Sequence, residues 1–364
     1  MLLAYRVPAA LVVQLLVDAT LVMVIGFLLT RLLAKRSAAT RCGAWLLAMV
    51  AVLVTPALPS IPWEWQVPLL PSEAFRYDVT AFGGDVTRAP ITAAVPRKWD
   101  AYPVVLVILL VWVAGAVVML AGLSRARKRI REITFRAELE ARRPIAVDTA
   151  MARVATKRER AAGVRVLVSE EVTTPLVWGT HRPVILLPPV AMEWTTDRLA
   201  AVLAHEMAHV RRRDYLGWQI VEIARSVYWM NPLVWLAARQ IRAEQEQACD
   251  DAVLRAGIKA ADYARHLLEV ARHATSVPRA SLAIGRESSL RSRVRHILNE
   301  RTDRRPASRA VVFASLMVFV PLTPALAGLD PWDCEFVEKT YEVYAMPTLQ
   351  VVVPVIGSPP SAPD

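Results

Sequence analysis

Three side chains within five residues carry the means for metal chemistry. They lie in the run Ala204-His205-Glu206-Met207-Ala208-His209-Val210. On a helix, His205 and His209 project from one face and can hold one metal ion together. Glu206 falls beside the open coordination position, placed to take a proton from an activated water. Such a hydrolytic centre needs a third protein donor and an open fourth position. The run Glu244-Gln245-Glu246-Gln247-Ala248-Cys249-Asp250 offers the donor. Glu246 and Asp250 stand at i and i+4, on one helix face. Glu246 can complete a His-His-Glu set. Asp250 can accept from the far nitrogen of a ligand histidine, His205 being the natural partner, and fix its tautomer. Glu244 is the competing donor, but it points about 160° away from Glu246 and has no carboxylate one turn on. Cys249 lies about 100° round the helix from Asp250, which suits a small core residue better than a fourth ligand. Tyr228, Tyr263 and His181 are the candidates for stabilising an oxyanion. His266, His273 and His296 lie on basic helices and are expected at the surface.

The elements that position these groups can be read on either side of them. Thr195 or Thr196 is a natural N-cap for the helix carrying His205, expected to run to about Arg213. A second helix is expected from Asp214 to Met230. Asn231-Pro232 restarts the chain as N-cap and first helical residue. A third helix then runs from Leu233 to about Arg255, with Gly257 ending it. Further helices are expected over Ala260–Ala274 and Ser289–Leu298. Upstream, Val164–Val168 alternates and is β-branched, as a strand is. The stretches Thr174-Pro175-Leu176-Val177-Trp178-Gly179 and Pro183–Pro188 look like a hairpin. Their prolines, Pro175, Pro183 and Pro188, suggest edge rather than central strands. The first stretch is the candidate edge along which a substrate could lie.

The totals point to lipid. Hydrophobic residues make up 55 % of the 364, and mean hydropathy is +0.33, above the roughly 45–50 % apolar content of soluble chains. Apolar runs at 9–33, 43–58, 104–123 and 310–327 are candidate spans. The net charge of +11 is concentrated at alternate ends of these runs: Arg31, Lys35, Arg36 and Arg41; Arg125 to Arg131; Arg301 to Arg309. By the positive-inside rule, 124–309 is cytoplasmic. The N-terminus, the loop 59–101 and the tail 328–364 are external, and the end of the tail is expected to be poorly ordered. The apolar run after Arg6 is too long for a cleavable signal. A strand over Thr348–Ile356 has no visible partner. The basic excess is thus a membrane signature. No recognition helix or zinc finger accompanies it, so direct nucleic-acid binding is not expected. Asp18 and Gln14, one turn apart in the first span, are read as bonding to a neighbouring span, with a functional role as the rival reading. Three distant cysteines, Cys42, Cys249 and Cys334, offer no disulfide framework.

Taken together, Val164 to Arg272 resembles the membrane metallopeptidase domain of the BlaR/MecR-type antirepressor family. The resemblance rests on Thr174–Gly179, Pro183–Pro188, Leu203–Asp214, Tyr228–Trp235, Glu244–Asp251, Tyr263-Ala264 and the run Leu290–Leu298. It implies an α+β membrane protein with four transmembrane helices and a gluzincin-like zinc peptidase domain, a small edge sheet plus helices, between the third and fourth. It implies His205, His209 and Glu246 as zinc ligands and Glu206 as the catalytic residue. It also implies a cytosolic substrate, a winged-helix repressor, at the bacterial inner membrane. Members that sense β-lactams resemble penicillin-binding proteins after the fourth span. The 36-odd residues that follow it here carry no Ser-x-x-Lys nucleophile, so β-lactam acylation is not expected. A homodimer in the membrane and a non-catalytic, zinc-bound docking module stay open as alternatives.

Overall fold

A computed structural model describes residues 7–55, 102–140, 145–156, 163–275, 283–327, 341–346 and 349–354. In chain order these form α1 (Val7–Leu32), α2 (Ala38–Val54), α3 (Tyr102–Glu140) and α4 (Ile145–Val154). Strands β1 (Arg165–Val168), β2 (Leu176–Trp178) and β3 (Val184–Leu187) follow, then a 3-10 turn at Pro189–Glu193. Helices α5 (Thr196–Arg212), α6 (Asp214–Val227), α7 (Pro232–Arg255), α8 (Ala260–Thr275), α9 (Ala283–Leu298) and α10 (Arg309–Ala327) complete the helical part. The hairpin β4 (Tyr341–Met346) and β5 (Leu349–Pro354) comes last. The chain is therefore mostly helical α+β with a small sheet.

Two compact units are formed, one of Leu15–Ile61 with Val111–Ala327, the other of Met1–Gln14, Pro62–Leu110 and Gly328–Asp364. Among the described residues, two helices are long and apolar enough to cross a membrane, over Leu15–Leu32 and Leu106–Glu140. Ala38–Val54 and Arg309–Pro321 are shorter apolar helices. The third apolar run and the charged stretch after it are one continuous helix, α3. No proline lies between them, and Gly122 at the junction is accommodated within the helix, so nothing stops it at the end of the apolar run.

In the smaller unit, the strand expected over 348–356 is described over Leu349–Pro354, and it does have a partner. Tyr341 to Met346 pairs with Leu349 to Pro354 antiparallel, Val343 opposite Val352. The alternation Tyr341-Glu342-Val343-Tyr344 was the overlooked signal.

In the larger unit the sheet has the order β1-β3-β2, with β1 parallel and β2 antiparallel to β3. β2 is an edge strand, as its proline suggested. β3 is central, against expectation. Pro183 and Pro188 flank the strand rather than enter it, so no ladder N–H is lost within it. The Pro183 carbonyl even accepts from Arg165 N at 3.2 Å. β3 reads Val-Ile-Leu-Leu without alternation because both faces are covered. Ile185 and Leu187 pack with Leu199, Leu203 and Met207 of α5. Val184 and Leu186 pack with Ile133 and Ala137 of α3.

α5 begins as its sequence predicts: the Thr195 hydroxyl accepts from Arg198 N at 3.4 Å. It ends on Arg213, which takes a left-handed conformation, φ 56°. That single residue reverses the chain into α6. Ala201 and Ala204 on the next face of α5 pack with Tyr263 of α8 and Ile297 of α9. α5 is thus held on two sides, leaving one face for its histidines.

Helices α6 and α7 pack against α2. α6 stops at Val227, three residues short of the expectation. Asn231 then caps α7, its side chain accepting from Leu233 N at 3.0 Å. The turn between them is bonded to the three apolar helices at the front of the chain. Tyr228 Oη donates to Val52 O at 2.9 Å, and Asn231 Nδ2 donates to Thr20 Oγ1 at 3.1 Å. Trp112 Nε1 donates to Val227 O at 2.9 Å, and Trp229 Nε1 donates to Trp112 O at 3.1 Å. Gly115 permits this approach, since a Cβ there would fall 2.3 Å from the Trp229 ring. Asp18 is buried in this unit, while the Gln14 side chain lies outside the described residues.

Candidate metal centre

His205 and His209 emerge from the free face of α5, their ring centroids 4.9 Å apart. Glu246 enters from α7. One donor atom from each of the three lies within 4.8 Å of the others. Glu246 Oε2 is 3.5 Å from His205 Nε2, and Oε1 is 3.8 Å from His209 Nε2. Tetrahedral zinc with bonds of about 2.0–2.1 Å separates its ligand atoms by about 3.3 Å. Donor types and spacing therefore fit zinc.

Each imidazole is held from behind. Asp250, fully buried, places Oδ1 3.2 Å from His205 Nδ1. Tyr263 Oη donates to the same carboxylate oxygen at 2.6 Å and lies 3.0 Å from His205 Nδ1. On the second histidine, Asp214 Oδ2 is 2.9 Å from His209 Nδ1. Arg212 Nε fixes Asp214 in turn, at 3.2 Å to both oxygens. The reversal at Arg213 is what turns Asp214 back beneath His209. Each Nε2 is thereby turned toward Glu246.

Asp250 was legible from its spacing. Asp214 was passed over, although it stands five residues after His209 in the Arg-Arg-Arg-Asp run. We expect Asp250→Asn and Asp214→Asn each to weaken zinc binding by about 10–100-fold. Chelator competition on the purified chain reads this directly, and unchanged affinity in either variant removes that residue from the orienting role.

Arg293, from α9, is the residue that pattern reasoning missed. Its guanidinium meets Glu246 Oε2 at 2.8 Å and forks onto Asp250 at 2.6 and 2.9 Å. It also stands 3.5 Å from His205 Nε2. The only signal was its place in the Leu290–Leu298 run, which spacing alone could not tie to the site.

Other expectations are corrected by position. Tyr263 lies behind His205, on the side away from the Nε2 atoms, which does not suit an oxyanion donor. Tyr228 is bonded to α2, and His181 is exposed in the β2–β3 turn. Glu244 is occupied by Arg41 of α2, at 2.9 and 2.6 Å. His296 is not at the surface. Its Nε2 meets the buried Asp251 at 2.9 Å, because α9 packs against α7 there. His266 is half-buried, and the His273 side chain lies outside the described residues. Cys249 is fully buried with Sγ 3.3 Å from His209 Nδ1. With Asp214 and His209 it forms a second potential donor group. The thiol faces the orienting nitrogen rather than Nε2, and burial holds its pKa well above the ordinary range.

The electrostatics follow from burial of these charges together. Burial and the Arg293 charge act to lower the His205 pKa. Its bonds to Asp250 and Glu246 outweigh them and hold it up at about 10. For Glu246 and Asp250, burial raises the pKa, but Arg293 and then His205 overcome it and keep both carboxylates ionised. Arg293 does not bond Glu206 directly as it does Glu246 and Asp250, and its charge pulls on Glu206 only from a distance. Burial pushes its carboxyl up, against the pull of His205 and His209. A carboxyl raised in this way suits acceptance and return of a proton.

The family model described as BlaR1 peptidase M56 matches residues 10–297. The regulatory protein BlaR1 of Bacillus licheniformis is 34 % identical over 128 residues, covering 35 % of this chain and 21 % of that protein. The methicillin resistance mecR1 protein of Staphylococcus aureus is 21 % identical over 250 residues, covering 65 % of this chain and 42 % of its own length. The same figures hold for the mecR1 protein of Staphylococcus epidermidis. The chain spans less than half the length of each of these relatives.

Proposed function

Since the chain belongs to the BlaR1 peptidase M56 family, we propose that it is a membrane-embedded zinc endopeptidase that cuts a cytosolic protein, a winged-helix transcriptional repressor, in resistance signalling. The observation that carries this reading is the set His205, His209 and Glu246, with the buried Glu206 beside it. The names of the relatives, a regulatory protein and methicillin resistance proteins, favour a regulatory role over general proteolysis.

His205, His209 and Glu246 would hold the ion. When bound, zinc supplies a Lewis acid that polarises the scissile carbonyl and makes water acidic enough to ionise near neutral pH. Glu206 accepts the proton of the attacking water and delivers it to the amine nitrogen as the C–N bond breaks. Asp250 with Tyr263, and Asp214, keep the two imidazoles in one tautomer and one orientation. The substrate lies extended along Thr174–Gly179 by strand addition, a role that the edge position of β2 in the sheet supports. A closed, purely structural zinc site with Cys249 as fourth donor is disfavoured because that thiol addresses the wrong nitrogen of His209.

In this reading α1, α2, α10 and the apolar part of α3 are four spans. The N-terminus and tail are external, and the peptidase part is on the cytoplasmic side of a bacterial inner membrane. The partners are the repressor and the bilayer, with no direct contact to nucleic acid.

Metal removal tests it. The purified chain should lose all cleavage of a co-encoded repressor on chelation and regain it with one equivalent of zinc. Cleavage that persists in metal-free protein would sink the reading.

A further inference from the structure

The turn between α6 and α7 touches three helices, and each gauges its depth. From the basic residue near its cytoplasmic end to the contact, α3 rises about 20 Å, Arg125 to Trp112. By the same rise, α2 spans about 16 Å from Arg41 to Val52, and α1 about 16 Å from Arg31 to Thr20. The three distances agree. They put residues 228–231 past the middle of a hydrocarbon layer about 30 Å thick.

The turn is built as such a depth requires. Non-helical backbone in hydrocarbon survives only if its polar groups are satisfied by protein. Here several groups of the α6 terminus and the turn are bonded to protein. Val227 O receives Trp112 Nε1, and Trp229 O receives Trp235 Nε1 at 2.9 Å. Tyr228 O receives Asn231 N at 2.9 Å, and Leu233 N meets the Asn231 side chain. Residue 232 is a proline with no N–H to satisfy.

The side chains agree. Leu216 and Ile223, two turns apart on α6, are exposed, as are Met230 at 46 % and Leu236 at 47 %. A cleft of about 390 Å³ is lined by Trp229, Met230, Pro232, Trp235, Leu236 and Arg239. On α6, the charges nearest the tip are paired. Arg225 meets Glu222 at 2.6 Å and stacks over Trp235 at 4.0 Å. Intramembrane charges are tolerated in this form. Arg239 lies about 12 Å of helix back from the tip, within reach of the headgroups by its long stem.

We propose that α6 and the first half of α7 form a re-entrant hairpin, which enters the bilayer from the cytoplasmic side and meets lipid with Leu216, Ile223, Met230 and Leu236. The proposal rests on the topology given under Proposed function and narrows it, since the segment 124–309 is then not wholly in the cytoplasm. Its consequence concerns the substrate. From Asn231 to Glu246, α7 climbs about 22 Å, which returns Glu246 to the level of the basic span ends. The Arg41–Glu244 ion pair fixes the same level independently. The metal centre therefore stands at the cytoplasmic lipid surface. A substrate segment must reach it in extended form within a few ångströms of the headgroups.

The test uses the full chain in liposomes, with Cys334→Ser and one added cysteine, at Met230, Ile223 or Glu170. Cys42 and Cys249 are buried, and Glu170 is an exposed control beyond β1. Two readouts are needed: the rate of reaction with a membrane-impermeant maleimide, and quenching of a bimane attached beforehand by lipids carrying a mid-chain nitroxide. Met230→Cys and Ile223→Cys should react at least about tenfold more slowly than Glu170→Cys and should be quenched by the lipid. Reaction at the control rate at both positions overturns the hairpin. Protection without lipid quenching also overturns it, because protein, such as a second copy, then covers the face. Zinc content and cleavage are measured on the same samples. Water-accessible Met230 in protein that binds zinc and cuts removes the hairpin alone. A lipid-facing Met230 in protein that binds zinc but never cuts leaves the hairpin standing and counts against the peptidase.

Discussion

Glu206→Gln is expected to lower cleavage by about 10²–10⁴-fold, the span usual for a general acid–base group, with zinc content unchanged. The amide matches the carboxylate in size and can still hydrogen-bond, so the buried position beside His205 and His209 stays filled. It cannot accept a proton. Burial already raises the Glu206 pKa, and a group so placed is matched to proton transfer rather than to permanent ionisation. Glu246 and Asp250 differ in that Arg293 binds both directly. The measurement is single-turnover cleavage by the purified full chain alongside metal analysis of the same preparation. Turnover within a few-fold of wild type would remove Glu206 from the proton-transfer role, and loss of zinc would show it to be structural.

What was readable in the chain, and what was not, divides by the range of the interaction. His205, Glu206, His209, Glu246 and Asp250 follow helical periodicity within two helices, and so does Thr195 as a cap. Such relations need no knowledge of how helices pack. The orientation of His209 by Asp214 depends on one left-handed residue, Arg213. An arginine is a poor predictor of that conformation, which favours glycine, so the reversal could not be read. Arg293 reaches the site from α9, and no periodicity links it to α5 or α7. The central place of β3 was hidden by prolines that bound it rather than interrupt it. The proposed depth of the α6–α7 turn could not be read, because the positive-inside rule weighs basic residues at span ends and treats 124–309 as one segment.

Arg293→Met is expected to destabilise the metal-free chain by about 3–5 kcal/mol, the cost of stripping one partner from a buried ion pair. Arg293 is the permanent cation beside Glu206, Glu246 and Asp250, with only 15 % of its side chain exposed. Its fork onto the fully buried Asp250 is bidentate, at 2.6 and 2.9 Å, the geometry in which arginine bonds a carboxylate most strongly. Methionine keeps the apolar stem and removes the charge, so Asp250 is left with Tyr263 and His205. Arg293→Lys should recover only part of the loss, because a single ammonium cannot fork. The cycle with Asp250→Asn separates the ion pair from simple packing. If the pair is responsible, the double variant loses less than the sum of the singles, with coupling of about 1 kcal/mol or more. Additive losses would mean that Arg293 acts as bulk. A metal-free Arg293→Met protein unfolding in detergent as wild type does would mean that the three carboxylates are neutralised by other means, His205 first among them.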